Sequence, residues 1–242
     1  HLAEDPTETR NLAADNPDKL AELQAAWETA AWENQVFPLD EGNFVKSIAR
    51  PPWNADLEEA VTILPGTPTL ERYRSLQLIN FRSFAITVAL DWQPGDAGIL
   101  VAHGDQGGGY ALYVEDDHLW YVHNGYGTMT EVDCGALAPG ASEIVAAFTA
   151  HGQLRWELTV SVDGRQVGHV EDLVVLMAMA PFEGIDVGID RRSPVSWRVY
   201  ERHGCFPYTG SLGAVTVSPG DYAPDAGVQF LEMLKEMGAR FE

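Results

Sequence analysis

The sequence predicts a mainly β fold, an antiparallel β-sandwich with one helix before it and a short helix after it. Three observations predict this class. Apolar residues recur at every second position between about residues 61 and 218, glycine-rich turns separate the short runs, and helical spacing occurs near the two ends. Strands with one apolar and one polar face are typical of two antiparallel sheets packed face to face.

The first 36 residues contain the N-terminal helix, predicted over residues 17–34. Asn16 or Asp15 can cap this helix, and Pro17 suits its first position. Its apolar residues recur at helical spacing and form one stripe: Leu20, Leu23, Trp27 and Ala30/Ala31. A helix with a single apolar stripe needs a surface to cover it. We expect that surface to belong to a partner, which need not be part of this chain.

The middle of the chain supplies the strands. In "LRWELTVSVDGRQVGHV" the apolar residues alternate with polar ones, and Asp163-Gly164 predicts a tight hairpin. Asp116-Asp117 predicts another, and "GSLGAVTVS" reads as a closing strand. We therefore divide the chain into an N-terminal segment (1–36), a linker (37–60), the sandwich (61–220) and a C-terminal amphipathic helix (221–242).

The composition limits the classes of partner that the chain is expected to bind. A formal net charge of −21 opposes binding to nucleic acid or to anionic lipid, so we predict neither as a partner. No apolar run approaches the ~18 residues of a membrane helix, so we predict no membrane partner. Cys134 and Cys205 are expected to be free thiols in a reducing compartment, which favours a cytoplasmic location. A single bridge in a periplasmic or secreted protein is the alternative.

No catalytic residue is predicted. The acids at 115–117 are consecutive at a turn, whereas a glycosidase needs two carboxylates facing each other across the sugar. Cys205 and Pro207 resemble the start of the sulfatase Cys-x-Pro-x-Arg motif, but Thr209 stands at the place of the arginine. We interpret that match as accidental.

No metal ligand is predicted either. His118 and His123 are five apart on a strand and therefore point to opposite sides. Asp186 and Asp190 bracket "VGI", which is a weak signal for calcium.

The aromatic stretch "LWYVHNGYG" is the candidate binding site. Trp120, Tyr121, His123 and Tyr126 can line a shallow groove, where aromatic rings stack on sugars. Packing within the core or at an interface is the alternative for the same residues.

The opening "LAEDPTETRNLAADNPDKLAEL" resembles the last segment of type I sulfatases. That family has a strand ending in a pattern like Leu-Tyr-Asp-Leu-x-x-Asp-Pro-x-Glu-x-x-Asn-Leu-Ala, followed by a helix. The matching residues are Leu2, Asp5, Pro6, Glu8, Asn11, Leu12 and Ala13, with His1 where an acid is more usual. Segments such as "LPGTPTL" and "DVGIDRRSPV" resemble the appended sandwich of bacterial arylsulfatases, which is similar to concanavalin A-like or laminin-G-like jelly rolls.

The resemblance implies that the chain is the non-catalytic C-terminal part of an arylsulfatase. The parent would hydrolyse sulfate esters with a formylglycine beside Ca²⁺, and both would belong to a catalytic domain outside this chain. That domain, in the same polypeptide or an adjacent chain, would be the partner, and the sandwich would support or rim it. The alternative is a freestanding carbohydrate-binding β-sandwich module.

Overall fold

A computed structural model describes residues 1–37, 56–176, 180–228 and 231. The chain forms two compact units, His1–Pro51 and Pro52–Glu242. Most of the predicted linker (37–60) and most of the predicted C-terminal helix (221–242) lie outside the described residues. Among the helices in these ranges, none has both the length and the apolar character needed to cross a bilayer.

The first unit contains helix α1 (Pro17–Glu33), within one residue of the predicted range. The turn before it is organised by Asp5, whose carboxylate accepts hydrogen bonds from the Arg10 backbone N–H (2.8 Å) and the Thr9 hydroxyl (2.9 Å). Three side chains of the predicted stripe, those of Leu20, Leu23 and Trp27, are exposed.

The second unit is a sandwich of two antiparallel sheets, which confirms the predicted fold class. Its strands are β1 (Val61–Ile63), β2 (Arg82–Trp92), β3 (Gly98–Asp105), β4 (Gly108–Glu115), β5 (His118–Gly125), β6 (Thr128–Ala136), β7 (Gly140–Gly152), β8 (Arg155–Val162), β9 (Arg165–Val174), β10 (Ile185–Val187) and β11 (Ser211–Tyr222). The six-stranded sheet has the order β1-β11-β2-β7-β8-β9, and the five-stranded sheet has the order β10-β3-β4-β5-β6.

Two short helices inside the sandwich sequence escaped prediction. They are α2 (Arg72–Ile79) and α3 (Trp197–His203). Each depends on a side-chain cap: Glu71 accepts hydrogen bonds from the backbone N–H groups of Tyr73 and Arg74, and Ser196 accepts one from Val199. Helices this short are held by caps and tertiary packing, so they leave little periodic signal in the sequence.

Both predicted hairpin turns are present. Asp116 and Asp117 have φ values of 51° and 63°, and Asp163 and Gly164 have 50° and 76°. Two successive residues with positive φ match the turn that the right-handed twist of a hairpin favours.

The closing strand β11 pairs with both β1 and β2, and it extends to Tyr222, two residues beyond the predicted sandwich. Residues 226–228 then begin a helical turn. Val228 and Leu231, two apolar residues of the predicted C-terminal helix, are exposed. Ala223 and Ala226 pack against the core instead.

The core between the sheets is centred on aromatic rings. Phe148 stacks on Phe84 at 4.2 Å between centroids, and Trp156 meets both rings edge-on at 5.7 and 5.2 Å. Tyr110 and Tyr121 approach Phe148 from the opposite sheet at 5.3 and 6.0 Å. The rings therefore connect the two sheets directly.

The register of β8 provides a test of this packing. Trp156 is fully buried and its indole N–H donates to the Arg82 carbonyl (3.0 Å), whereas Arg155 on the opposite face is exposed. We expect Trp156→Ala to lower the free energy of unfolding by roughly 3–5 kcal/mol, as large core truncations do. Arg155→Ala should change it far less, because its ion pair with Asp172 is exposed. Urea denaturation of both variants checks the ranking, and the reverse order would contradict this register.

Candidate functional site

The four aromatic-stretch residues do not share one surface. Along β5, Tyr121 and His123 point between the sheets and are buried, whereas Trp120 points to the outer face. Side chains alternate between the faces of a strand, so Trp120 cannot join its neighbours. A groove lined by all four residues is therefore not formed.

Tyr121 and His123 are held inside by their hydrogen bonds. His123 Nε2 lies 3.1 Å from the Val174 carbonyl, which can only accept, so Nε2 carries the proton and Nδ1 accepts from the Tyr121 hydroxyl (3.1 Å). Burial lowers the pKa of His123 to about 4, although the Val174 carbonyl opposes this shift. The ring is neutral at physiological pH and provides a hydrogen-bond partner for Tyr121 within the core.

Trp120 and Tyr126 remain on the outside. Trp120 is half-buried against Tyr113, with the two rings stacked at 6.3 Å. Tyr126 is exposed at the turn between β5 and β6, with a φ of 55°. Their role in binding remains a prediction.

A groove of about 530 Å³ opens beside this turn. It lies where the β3–β4 turn, strands β5 and β6, and the start of α3 meet. Its lining residues are Gln106, Asn124, Met129, Glu131, Val195, Ser196, Trp197 and Arg198. This groove was not predicted from the sequence, although Asn124 directly follows His123 in the aromatic stretch.

Asn124 holds the floor of the groove together. Its buried side-chain amide donates to the carbonyls of Gln106 (3.0 Å) and Val195 (3.2 Å), and its Oδ1 accepts from the Gly127 N–H (2.7 Å). One side chain therefore joins the β3–β4 turn, the β5–β6 turn and the segment before α3. Loops have few backbone partners of their own, so such a side chain fixes their relative positions.

Trp197 forms an exposed wall of the groove. It is 52% exposed, yet its indole N–H donates to Glu201 (2.8 Å) and its ring stacks on Tyr200 at 5.3 Å. Ser196 caps the helix that carries it. The indole is therefore both accessible and held in one orientation, a combination typical of a binding platform.

A charged pair also lines the groove. Arg198 donates to Glu131 (2.8 Å), with the arginine on the first turn of α3 and the glutamate on β6. The arginine is largely exposed, so the pair contributes little to stability. It leaves donors and acceptors available at the edge of the groove.

Behind the groove, carboxylates hold the loops by accepting backbone hydrogen bonds. Asp105 accepts from Gly107, Phe182 and Glu183 at 2.7–2.9 Å, and the buried Asp190 accepts from Val195 (2.9 Å). Burial, together with the smaller effect of the nearby carboxylates, raises the pKa of Asp190 to about 7, although the Val195 hydrogen bond acts in the opposite direction.

The other residues considered for chemistry are occupied by protein partners. Asp186 accepts from Thr69 (2.6 Å) and from the Arg191 guanidinium (2.7 Å), and Glu115 pairs with Arg202 (2.8 Å) and His203. Within the described ranges, no three His, Cys, Asp or Glu side chains converge as a metal ligand set. Cys134 and Cys205 are free thiols.

Comparisons with known proteins give structural neighbours. No family model matches the sequence, and no curated protein matches it. The sulfatase resemblance therefore remains a prediction.

Three solved structures illustrate the neighbours. They are mouse laminin alpha1 domains LG4-5 (10% identity, TM-score 0.42), the Ruminococcus gnavus IT-sialidase CBM40 bound to alpha2,6 sialyllactose (13%, 0.44) and a leech intramolecular trans-sialidase (12%, 0.45). The matches cover 66%, 69% and 71% of this chain. They span 38%, 93% and 26% of the respective neighbours.

The pKa of Asp190 leads to a pH prediction. Because the folded pKa (about 7) lies above the unfolded value of ~3.9, the folded chain binds more protons between these values. The contribution of the Asp190 carboxyl to the free energy of unfolding is complete below pH ~4 and is lost as pH rises through about 7. Asp190→Asn should therefore gain stability relative to wild type as pH rises, by up to a few kcal/mol.

Urea unfolding at pH 5, 6, 7 and 8 measures this difference. Asp116→Asn, at an exposed turn, is the matched control and should stay parallel to wild type. If the free energy of unfolding of Asp190→Asn changes with pH in parallel with that of wild type, the result would contradict a raised pKa at this position.

Proposed function

We propose that the sandwich is a non-catalytic carbohydrate-binding module and that its ligand lies in the groove beside α3. The observation that carries this proposal is the exposed Trp197 indole, held by Tyr200 and Glu201 next to a groove with a polar floor. Binding sites with an apolar wall and a few fixed polar groups are typical of small-molecule recognition.

The chemistry of a sugar suits this arrangement. A pyranose presents C–H groups on one face, which pack on an aromatic ring, and hydroxyl groups around its rim. The Arg198 and Glu131 side chains offer a donor and an acceptor to such hydroxyls. Among the four residues first predicted, we retain Tyr126, on the turn next to the groove, as a further stacking ring.

Charge favours a neutral sugar over an acidic one. The chain carries a formal charge of −21, and Arg198, the cation in the groove lining, is already paired with Glu131. A carboxylated or sulfated sugar would meet a repulsive field without an unshared cation in the lining of the groove. We therefore propose neutral oligosaccharides as the ligand class.

A panel of oligosaccharides tests the proposal. We expect the full chain to bind at least one of cellotetraose, xylotetraose and N-acetyllactosamine, and not sialyllactose or sulfated lactose. Trp197→Ala should weaken binding by about tenfold or more, equivalent to ~1.4 kcal/mol, and Trp197→Phe should weaken it less. Isothermal titration calorimetry provides the dissociation constants.

Leu64→Ala is the matched control, because Leu64 is also exposed and lies outside the groove lining. It should bind as wild type does. Wild-type affinity in Trp197→Ala, or binding of the acidic sugars alone, would contradict the proposed site.

A second candidate concerns the first unit. We propose that residues 1–36 are the tail of a sulfatase subdomain and that a sulfatase catalytic domain, with its formylglycine and Ca²⁺, is their partner. Two observations favour it: Asp5 of the motif organises its own turn, and α1 leaves Leu20, Leu23 and Trp27 exposed. Each such side chain gains ~1.5–3 kcal/mol on full burial.

Complementation tests this second candidate. A bacterial arylsulfatase catalytic domain truncated before its last strand and helix should co-elute with this chain and regain aryl sulfate hydrolysis. The chain alone should hydrolyse none. Leu23→Asp or Trp27→Asp should abolish co-elution, whereas Asp18→Ala, an exposed change on the same helix, should not. Failure of the wild-type chain to co-elute would contradict the candidate.

A further inference from the structure

A continuous line of hydrogen bonds connects a buried carboxyl to the groove. Asp190 accepts from the Val195 N–H (2.9 Å), and the Val195 carbonyl accepts from the Asn124 amide (3.2 Å). Asn124 in turn accepts from the Gly127 N–H of the β5–β6 turn (2.7 Å). A change at Asp190 is therefore only two hydrogen bonds from the side chain that holds the groove floor.

The charges around Asp190 make its ionisation unfavourable. Three carboxylates act on it: Asp105 at the end of β3, Glu183 before β10, and Asp186 in β10. Its backbone N–H donates to the Cys205 carbonyl, from the segment after α3.

The two arginines on the same loop have other carboxylate partners. Arg191 pairs with Asp186 (2.7 Å) and Arg192 with Glu183 (3.5 Å). Among the described residues, no ion pair reaches Asp190.

We propose that Asp190 is a pH-dependent support of the groove: loss of its proton loosens the Val195–Asn124 frame and weakens ligand binding. The binding part of this inference rests on the proposed function. The frame itself can be tested without any ligand.

Two opposing effects decide the direction. An ionised carboxylate would accept the Val195 N–H more strongly than a neutral carboxyl does. Burying the charge is unfavourable, and repulsion from three carboxylates adds to that cost. While the Val195–Asn124 hydrogen bond is intact and Asp190 is buried, the net effect favours the protonated carboxyl. The pKa of Asp190 is accordingly raised to about 7. Above that pH, movement of the 189–196 segment toward solvent relieves the charge and takes away the Val195 carbonyl, which is one of the acceptors of the Asn124 amide.

Nuclear magnetic resonance of the full chain tests the frame between pH 5 and 8.5. We expect the Val195 backbone amide and the Asn124 side-chain amide to shift together, with a midpoint near 7. Asp190→Asn should remove both transitions, because the amide oxygen still accepts from Val195 but does not titrate. Asp116→Asn should retain them.

Three results would overturn the inference. They are a transition that persists in Asp190→Asn, a Val195 transition that Asn124 does not follow, and a wild-type midpoint below pH 5. If Asp190→Asn fails to fold, the wild-type chain still decides, because its two midpoints must coincide.

Calorimetry with cellotetraose, xylotetraose and N-acetyllactosamine at pH 6 and 8 tests the consequence for binding. Weaker binding at pH 8 in wild type, but not in Asp190→Asn, supports the inference. Equal affinity at both pH values contradicts it. Absence of binding at any pH, with the amide transitions intact, contradicts the proposed function and leaves the pH-dependent frame standing.

Discussion

The sandwich depends on the contact of five aromatic rings between its sheets. Phe148 lies at the centre, with Phe84 and Trp156 from its own sheet and Tyr110 and Tyr121 from the other. Such rings bury large apolar areas, but a tyrosine also brings a hydroxyl that needs a hydrogen-bond partner inside the protein. The core therefore requires buried polar groups, and their positions determine much of the remaining structure.

Two histidines meet that requirement. His103 bonds to the Tyr110 hydroxyl (2.9 Å) and to Ser75 (3.0 Å), and His123 bonds to the Tyr121 hydroxyl. Burial lowers the pKa of His103 to about 3, so it is neutral as well. With His123 directed inward, the alternation of β5 directs Asn124 outward, into the floor of the groove. A one-residue slip of β5 would exchange these two faces, so the groove depends on the same register as the core.

The sequence predicted the features that depend on local pattern. The alternation through Trp156, the Asp163-Gly164 turn and α1 all follow from short-range rules and are present. The groove could not be predicted in this way, because Asn124 and Trp197 come from distant segments that meet only in the folded chain. The predicted grouping of Trp120 with His123 was wrong for a reason already available in the sequence: residues an odd number apart on a strand face opposite sides.

The irregular segments around the groove explain why several carboxylates lie behind it. Backbone N–H groups in irregular segments need acceptors, and a carboxylate can accept several at once, as Asp105 does from three residues. Each added carboxylate increases the repulsion felt by the others. Arg191 and Arg192 offset this repulsion for Asp186 and Glu183, whereas Asp190 avoids it below about pH 7 by keeping its proton. The carboxylates that hold the loops of the groove in place therefore also make the arrangement of these loops depend on pH.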